Sequence, residues 1–374
     1  MRLSKAIPLG LLFSGTMSAA HSVEQLEADP AGRLVIAGYG DVKYEQVDSL
    51  DTSAFSARFV PIFLFSLNDK MHVEAETEIA LNEEGEAEVE LEYADLHYFL
   101  NNATTVTAGK FLLPFGQFGA NWHPSWINRS PWTPGIYGSH GGTQAMTPLL
   151  PVLSDVGLAI QHTVQLSSNQ KLFFDFYVTN GARQELEEHD EEETVGETEE
   201  EEEHSESVPE VEFEAFSSDN NKDKAFGGRI AYAFLPSLEM GASWYQASYD
   251  VDEKLDVVAK GIDLNLIGNY YILRGEYIQT ETDGEEEGSI ETFKRNGWFL
   301  QGVVQLGHIY PAFGGTELLI ERAETNKIAE ATRWVYGVNY WLDARSVVKV
   351  AYEKTDLREG EDDHRVAVQL SYGF

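Results

Sequence analysis

Cysteine is absent from all 374 positions. That excludes disulfides and thiolate metal sites, so stability has to come from backbone pairing and packing. Long apolar runs are missing too. Charged or polar residues interrupt every apolar stretch well before the roughly 18 residues that a spanning helix needs. Positive charge is scarce, with 26 Lys and Arg against 63 Asp and Glu, for a net charge of −37. Such acidity argues against binding nucleic acid or anionic lipid surfaces through bulk charge. Catalytic signatures are lacking as well: there is no G-x-S-x-G, H-E-x-x-H, Walker loop or G-x-G-x-x-G. The ten histidines show no metal-ligand spacing. No catalytic residue and no cofactor is expected, and an enzyme is disfavoured.

What is present begins with "MRLSKAIPLGLLFSGTMSAA", where Arg2 and Lys5 precede an apolar stretch and then small residues. Ser18-Ala19-Ala20 fits a signal-peptidase site, so residues 1–20 are expected to be a signal peptide cleaved after Ala20. Its removal would take the net charge from −37 to −39. Residues 21–32 then form a short periplasmic N-terminal segment, and 33–374 the body of the protein. An exported chain without spanning helices is secreted, periplasmic, or a barrel in an outer membrane. The strand pattern decides among these.

In "MHVEAETEIAL" (71–81), Met71, Val73, Ala75, Thr77, Ile79 and Leu81 share one face, and His72, Glu74, Glu76 and Glu78 the other. A period of two means a strand. Soluble strands average about five or six residues, whereas a tilted membrane-spanning strand needs about nine to eleven. The signature recurs near 33–46, 55–66, 70–82, 87–100, 103–113, 155–166, 170–180, 224–234, 238–250, 257–267, 270–280, 295–306, 315–323, 331–342, 347–357 and 364–374. Sixteen is an even number, as a closed antiparallel barrel with both termini on one side requires. Alternate connections at 67–69, 101–102, 167–169, 235–237, 268–269, 307–314 and 343–346 are mostly tight and carry turn-forming residues. The intervening set holds every long insertion, at 114–154, 181–223 and 281–294. The pattern predicts an all-β, transmembrane, up-and-down barrel with long external loops in the outer membrane of a Gram-negative bacterium.

The chain closes on "HRVAVQLSYGF" (364–374), with Tyr372 and Phe374 on the apolar face. A last strand with a terminal aromatic residue is what the barrel-assembly machinery reads, so this pair is the expected assembly signal. Both rings would also sit in an aromatic girdle at the lipid headgroups. Other outward faces agree, such as Phe226, Ile230, Tyr232 and Phe234, and Trp334, Tyr336, Val338 and Tyr340.

A barrel of sixteen strands encloses an aqueous channel, whose selectivity depends on lumen side chains. The alternation points Glu74, Glu76, Glu78, Glu88, Glu90 and Glu92 inward from two adjacent strands. Lys43, Arg229, Arg274, Arg333, Lys349 and Arg365 point inward from others. Opposed acidic and basic walls would set a field across the pore. The plainer reading is that these charges stabilise the barrel through inward pairs.

The insertion 114–154 carries three of the seven tryptophans, Trp122, Trp126 and Trp132. A structureless loop of that length is unusual in a compact fold. It is expected to constrict the lumen or cap the mouth, with His123 and Arg129 as polar contacts; a rim loop packed on itself is the alternative. Residues 185–214 hold seventeen acids and no Lys or Arg. Repulsion at that density keeps an external loop (181–223) disordered. His189 and His204 would make it a weak divalent-metal antenna. The plainer reading is a solvated loop bridged to lipopolysaccharide by divalent ions.

"RFVPIFLFSLNDKMHVEAETEIAL" (58–81), "ELEYADLHYFLN" (90–101), "TAGKFLLPFGQF" (107–118) and "HPSWINRSP" (123–131) resemble the phosphate-selective porin-like superfamily of Gram-negative bacteria. The resemblance implies a homotrimeric general porin passing small hydrophilic solutes or ions, without energy input. Related porin-like proteins serve siderophore or metal uptake, so a binding or uptake protein for a metal ion or chelate is the alternative. The phosphate label itself does not carry over, because this chain shows a Glu ladder where the family relies on lumen bases. A weak cation preference, or no strong preference, is expected instead. Because 185–214 has no apolar face, its deletion should leave heat-modifiable gel migration unchanged; loss of that migration would contradict the reading.

Overall fold

A computed structural model of the chain describes residues 34–81, 85–137, 149–150, 154–184, 211–213, 215, 221–286, 289–306, 315–325, 331–357 and 362–374. The expected signal peptide and N-terminal segment lie outside these residues, as do His189, His204 and 185–210. Chain order begins with β1 (Leu34–Val47), β2 (Thr52–Asn68), β3 (Met71–Leu81), β4 (Ala87–Asn101), β5 (Thr104–Leu112), β6 (Ser154–Gln165) and β7 (Lys171–Thr179). A two-residue pair follows, β8 (Arg183–Gln184) with β9 (Val211–Glu212). Then come β10 (Ala225–Leu235), β11 (Leu238–Ser248), β12 (Asp256–Ile267), β13 (Tyr271–Glu286), β14 (Ser289–Gln305), β15 (Gly315–Thr325), β16 (Ala331–Trp341), β17 (Ser346–Leu357) and β18 (Asp363–Gly373).

Apart from β8 and β9, each strand pairs antiparallel with its sequence neighbour, and β7 reaches β10 across the 180–224 connection. β1 then pairs with β18, and the sheet closes as a barrel of sixteen strands. The seam is sealed at its end by Gly38 and Phe374, which exchange backbone hydrogen bonds of 3.2 and 3.0 Å. Closure matters because hydrocarbon offers no partner to an unpaired backbone group. The sixteen strands expected from the period-two pattern are all present.

The alternation runs inside out relative to a water-soluble sheet. On β18, Val366, Val368 and Leu370 are each about two-fifths exposed (41%, 42% and 41%), whereas Arg365, Ala367, Gln369 and Ser371 are 4% or less. Apolar residues therefore face outward and polar ones inward, the arrangement of a barrel set in lipid. At one end the described connections are tight, and side chains cap three of them. Asn68 accepts from the N–H of Lys70 at 2.9 Å, Asn101 from that of Ala103 at 2.9 Å, and Asp343 from that of Arg345 at 2.7 Å.

Two features depart from the alternation-based expectation. Residues 281–294 are not a long insertion: β13 runs on to Glu286 and β14 starts at Ser289. Cross-strand contacts extend the ladder, with Thr292 donating to Asp283 at 2.6 Å and Lys294 3.4 Å from Glu281. Opposite-sign and hydroxyl partners thus offset the acid density that argued for a loop. The second is a β-bulge. Glu76 pairs with Tyr93 and Thr77 with Leu91, which leaves Glu92 as the extra residue. Beyond it the inward face continues through Tyr93, Asp95 and His97.

Val368, central on β18, should be intolerant of charge. Val368→Arg is expected to destabilise the barrel in lipid vesicles by roughly 2–4 kcal/mol in a guanidinium titration. A change below about 1 kcal/mol would contradict an outward, lipid-facing position.

Candidate functional site

The segment after β5 does not cap the barrel or pack on its rim. It enters the lumen. Gly116 turns the chain with φ 63°, and a Cβ there would collide with the Glu276 carboxylate and the Tyr137 hydroxyl. Its N–H donates to Ser243 Oγ at 2.9 Å. The next two amides, of Gln117 and Phe118, converge on Glu276 Oε1 at 2.9 and 2.7 Å. The Tyr137 hydroxyl donates to the other oxygen of the same carboxylate. One π-helical turn follows, Phe118–Trp122. Phe118 stacks on Tyr137 at 5.2 Å and meets Phe299 edge-on at 6.1 Å, within an apolar cluster that includes Phe111, Leu113 and Phe115. Nothing local in the sequence marks Glu276 as the loop's anchor, although it shares the inward face of β13 with Arg274.

The remainder of the loop runs on to the wall of β16–β18 and β1. Lys349 donates to the carbonyls of Ser125 and Ser130 (the latter at 3.3 Å) and to Gln369 Oε1 at 3.0 Å. Arg333 donates to Thr133 O at 2.7 Å and lies 3.4 Å from Glu353. Asn339 donates to Arg129 O at 2.9 Å. Trp132 donates from its indole to Glu45 at 3.1 Å, under the Arg365 guanidinium 4.4 Å above its ring. Arg365 also pairs with Glu353 at 2.8 Å and Glu45 at 3.0 Å. Trp122 lies beneath Arg274 at 4.8 Å, and Trp126 packs against the Tyr39, Val60 and Ile62 cluster. Arg129 is well away from His123, 4.8 Å over the Trp341 ring.

This arrangement corrects the expected basic wall facing water. Arg333, Lys349, Arg365, Arg229 and Arg274 all point inward but are buried, at 0%, 1%, 4%, 6% and 7% exposure. Arg229 is engaged by Asp263 at 2.6 Å and Glu239 at 2.9 Å. Gln117 reaches the same two carboxylates at 2.9 and 3.2 Å. Lys43, partly exposed, pairs with Glu45 at 2.6 Å. Most of these cations hold the loop to the wall, and their charge is met at once by carbonyls and carboxylates.

The acidic residues behave differently. Glu78 is tied to Arg58, whose guanidinium reaches it at 3.2 Å and Asp41 at 2.7 Å. Glu76 accepts from the Tyr39 hydroxyl at 3.0 Å and lies 3.8 Å from His123 of the loop. Glu74 keeps 38% of its side chain exposed, 4.0 Å from His97. Glu88 and Glu90 are exposed towards the long-loop end. His97 itself is set between Asp95 and Thr107, each at 2.9 Å. That hydroxyl–imidazole–carboxylate line resembles a catalytic relay, but the Thr107 hydroxyl is presented to nothing: the residue is 3% exposed. It is a strut. The bulge at Glu92 shifts the phase of β4, which is why alternation alone does not put Asp95 and His97 on the inner face.

On the outer surface, Phe374 stacks on Phe59 at 5.4 Å, and Tyr372 borders a groove of about 230 Å³ shared with Val42, Ala57, Phe59 and Ile79. That groove faces away from the lumen.

No protein-family profile matches the chain, and no curated protein matches it in sequence. Solved structures do match in fold. OmpF of Salmonella typhi, in complex with daunomycin, aligns with a TM-score of 0.59 at 15% identity, covering 93% of this chain and 100% of its own. The anion-selective porin of Comamonas acidovorans aligns at 0.53 and 14% identity, covering 92% and 100%. The outer membrane channel DcaP of Acinetobacter baumannii gives 0.52 at 12% identity, covering 93% and 99%. The chain has the porin fold.

Removing the Glu276 carboxylate strands two amides and a hydroxyl inside the barrel. Glu276→Leu is expected to lower stability by about 2 kcal/mol or more. It should also speed proteolytic cleavage within 114–137 in the folded protein. Unchanged cleavage would show that the carboxylate does not hold the loop.

Proposed function

We propose that the protein is a porin of a Gram-negative outer membrane, a passive channel for small hydrophilic solutes or ions with a weak preference for cations. The observation that carries this reading is a closed sixteen-stranded barrel with an apolar exterior, a charged interior and a loop docked within it. Size exclusion at the loop and the field of the lumen then set what passes, with no covalent step and no energy input. Porins are obligate clients of lipid, and the exposed Phe, Val and Leu positions of the outer face fit that setting. We place the protein within the phosphate-selective porin-like group on the motifs at 58–131, as a homotrimer, with Tyr372 and Phe374 as its assembly signal. The cation preference rests on charge accounting. The interior bases are mostly buried against carbonyls and carboxylates, whereas Glu74, Glu88 and Glu90 meet solvent.

A second reading is favoured by how much of the lumen the loop occupies. A narrow, crowded interior also suits a protein that captures a metal ion or chelate and releases it slowly. Single-channel recording in planar bilayers separates the two. Ohmic steps with a reversal potential favouring potassium over chloride in a KCl gradient are expected. A chloride preference would overturn the cation assignment, and persistent silence from folded protein would favour the capture reading.

A further inference from the structure

Resting on the channel reading, we propose that solutes cross mid-barrel between the 120–123 edge of the loop and the wall of β3–β6. We further propose that Glu74 is the residue that reads their charge, and that small cations, inorganic or ammonium-bearing, are the class it admits. On β10, β13 and β16 to β18, charged inward side chains at mid-height are covered by the loop or by one another: Arg229, Glu276, Arg333, Lys349, Glu353 and Arg365 are all at 7% exposure or below. A solute has no access to them.

The opposite arc is looser. Glu74, Tyr93, His97 and Gln161 point inward from β3, β4 and β6 and stay partly exposed. On the loop side, Ala120, Asn121 and His123 are partly exposed, unlike their buried neighbours Phe118, Gly119 and Trp122. His123 and Glu76, 3.8 Å apart, mark where loop and wall touch. The gap lies beside that contact.

Within the gap, charge is unbalanced. Glu76 is already engaged by Tyr39, and Asp95 by His97 at 2.9 Å. Glu74 is adjacent to both and is the carboxylate left most accessible at this level, with 38% of its side chain exposed. Glu88 and Glu90, exposed towards the long-loop end of the same wall, lead a cation towards it. In a narrow passage bounded by protein, screening is weaker than in bulk water, so one such carboxylate dominates the selection of counter-charge.

The absence of native cysteine makes the test direct. Glu74→Cys and, as the covered control, Ser371→Cys (0% exposed) are folded, checked by heat-modifiable migration, and recorded in bilayers under a KCl gradient. Glu74→Cys is expected to lower the potassium-to-chloride permeability ratio severalfold. A sulfonate-bearing methanethiosulfonate reagent should restore the ratio, and a trimethylammonium-bearing one should push it towards chloride. Ser371→Cys should respond to neither. A conducting Glu74→Cys channel that is inert to both reagents, or a Ser371→Cys channel that responds instead, overturns the inference. Failure of the parent protein itself to conduct would overturn the channel reading, and this inference with it.

Discussion

A backbone amide left without a partner in hydrocarbon costs several kcal/mol, and no water is at hand to relieve it. The rest of the molecule depends on meeting that constraint. Sixteen strands, each bonded on both sides, meet it only if the first finds the last, and β1 lies against β18 over nine registered positions. With no edge remaining, outward side chains are free to be wholly apolar. Inward ones are then separated from lipid by the sheet itself. The inside-out alternation follows from closure.

A hollow of this size creates a second demand. Charged wall residues and a tryptophan-rich loop both need partners, and each supplies the other's. Buried ions are costly to desolvate unless their hydrogen bonds are complete. Lys349 satisfies this with two loop carbonyls and Gln369. Arg333 donates to Thr133 O and pairs with the Glu353 carboxylate. The loop's own amides at Gln117 and Phe118 are met by Glu276. The anchors therefore act in both directions: they neutralise the wall and fix the loop. Wall groups that the loop does not cover, Glu74 among them, stay partly exposed.

Much of the barrel was legible in the chain because period-two alternation over nine or more residues is a local property, and so are the Asn68, Asn101 and Asp343 caps of three tight turns. Strand-by-strand parity marked 114–154 as a long insertion but left open whether it enters the lumen, caps the mouth or packs on the rim. Three things were not legible. The partner of Arg333 is a carbonyl 200 positions away, so nothing near Arg333 distinguishes a loop anchor from a pore-lining base. The bulge at Glu92 depends on how β3 and β4 slide past each other, and one extra residue moved Asp95 and His97 onto the inner face. The acid-rich 281–294 hairpin looked like a loop because its compensation, from Thr292 and Lys294, appears only once the strands are in register.

Everything above requires the segment after β5 to reside inside a closed barrel. In the cysteine-free chain, Asn128→Cys on the loop and Gln301→Cys on the wall replace side chains that meet at 3.5 Å. Treatment of the folded protein with a short bifunctional thiol reagent, followed by peptide mass spectrometry, should recover the two positions bridged within one chain. Recovery of both cysteines modified separately, with no bridge, would place the loop elsewhere and contradict the account.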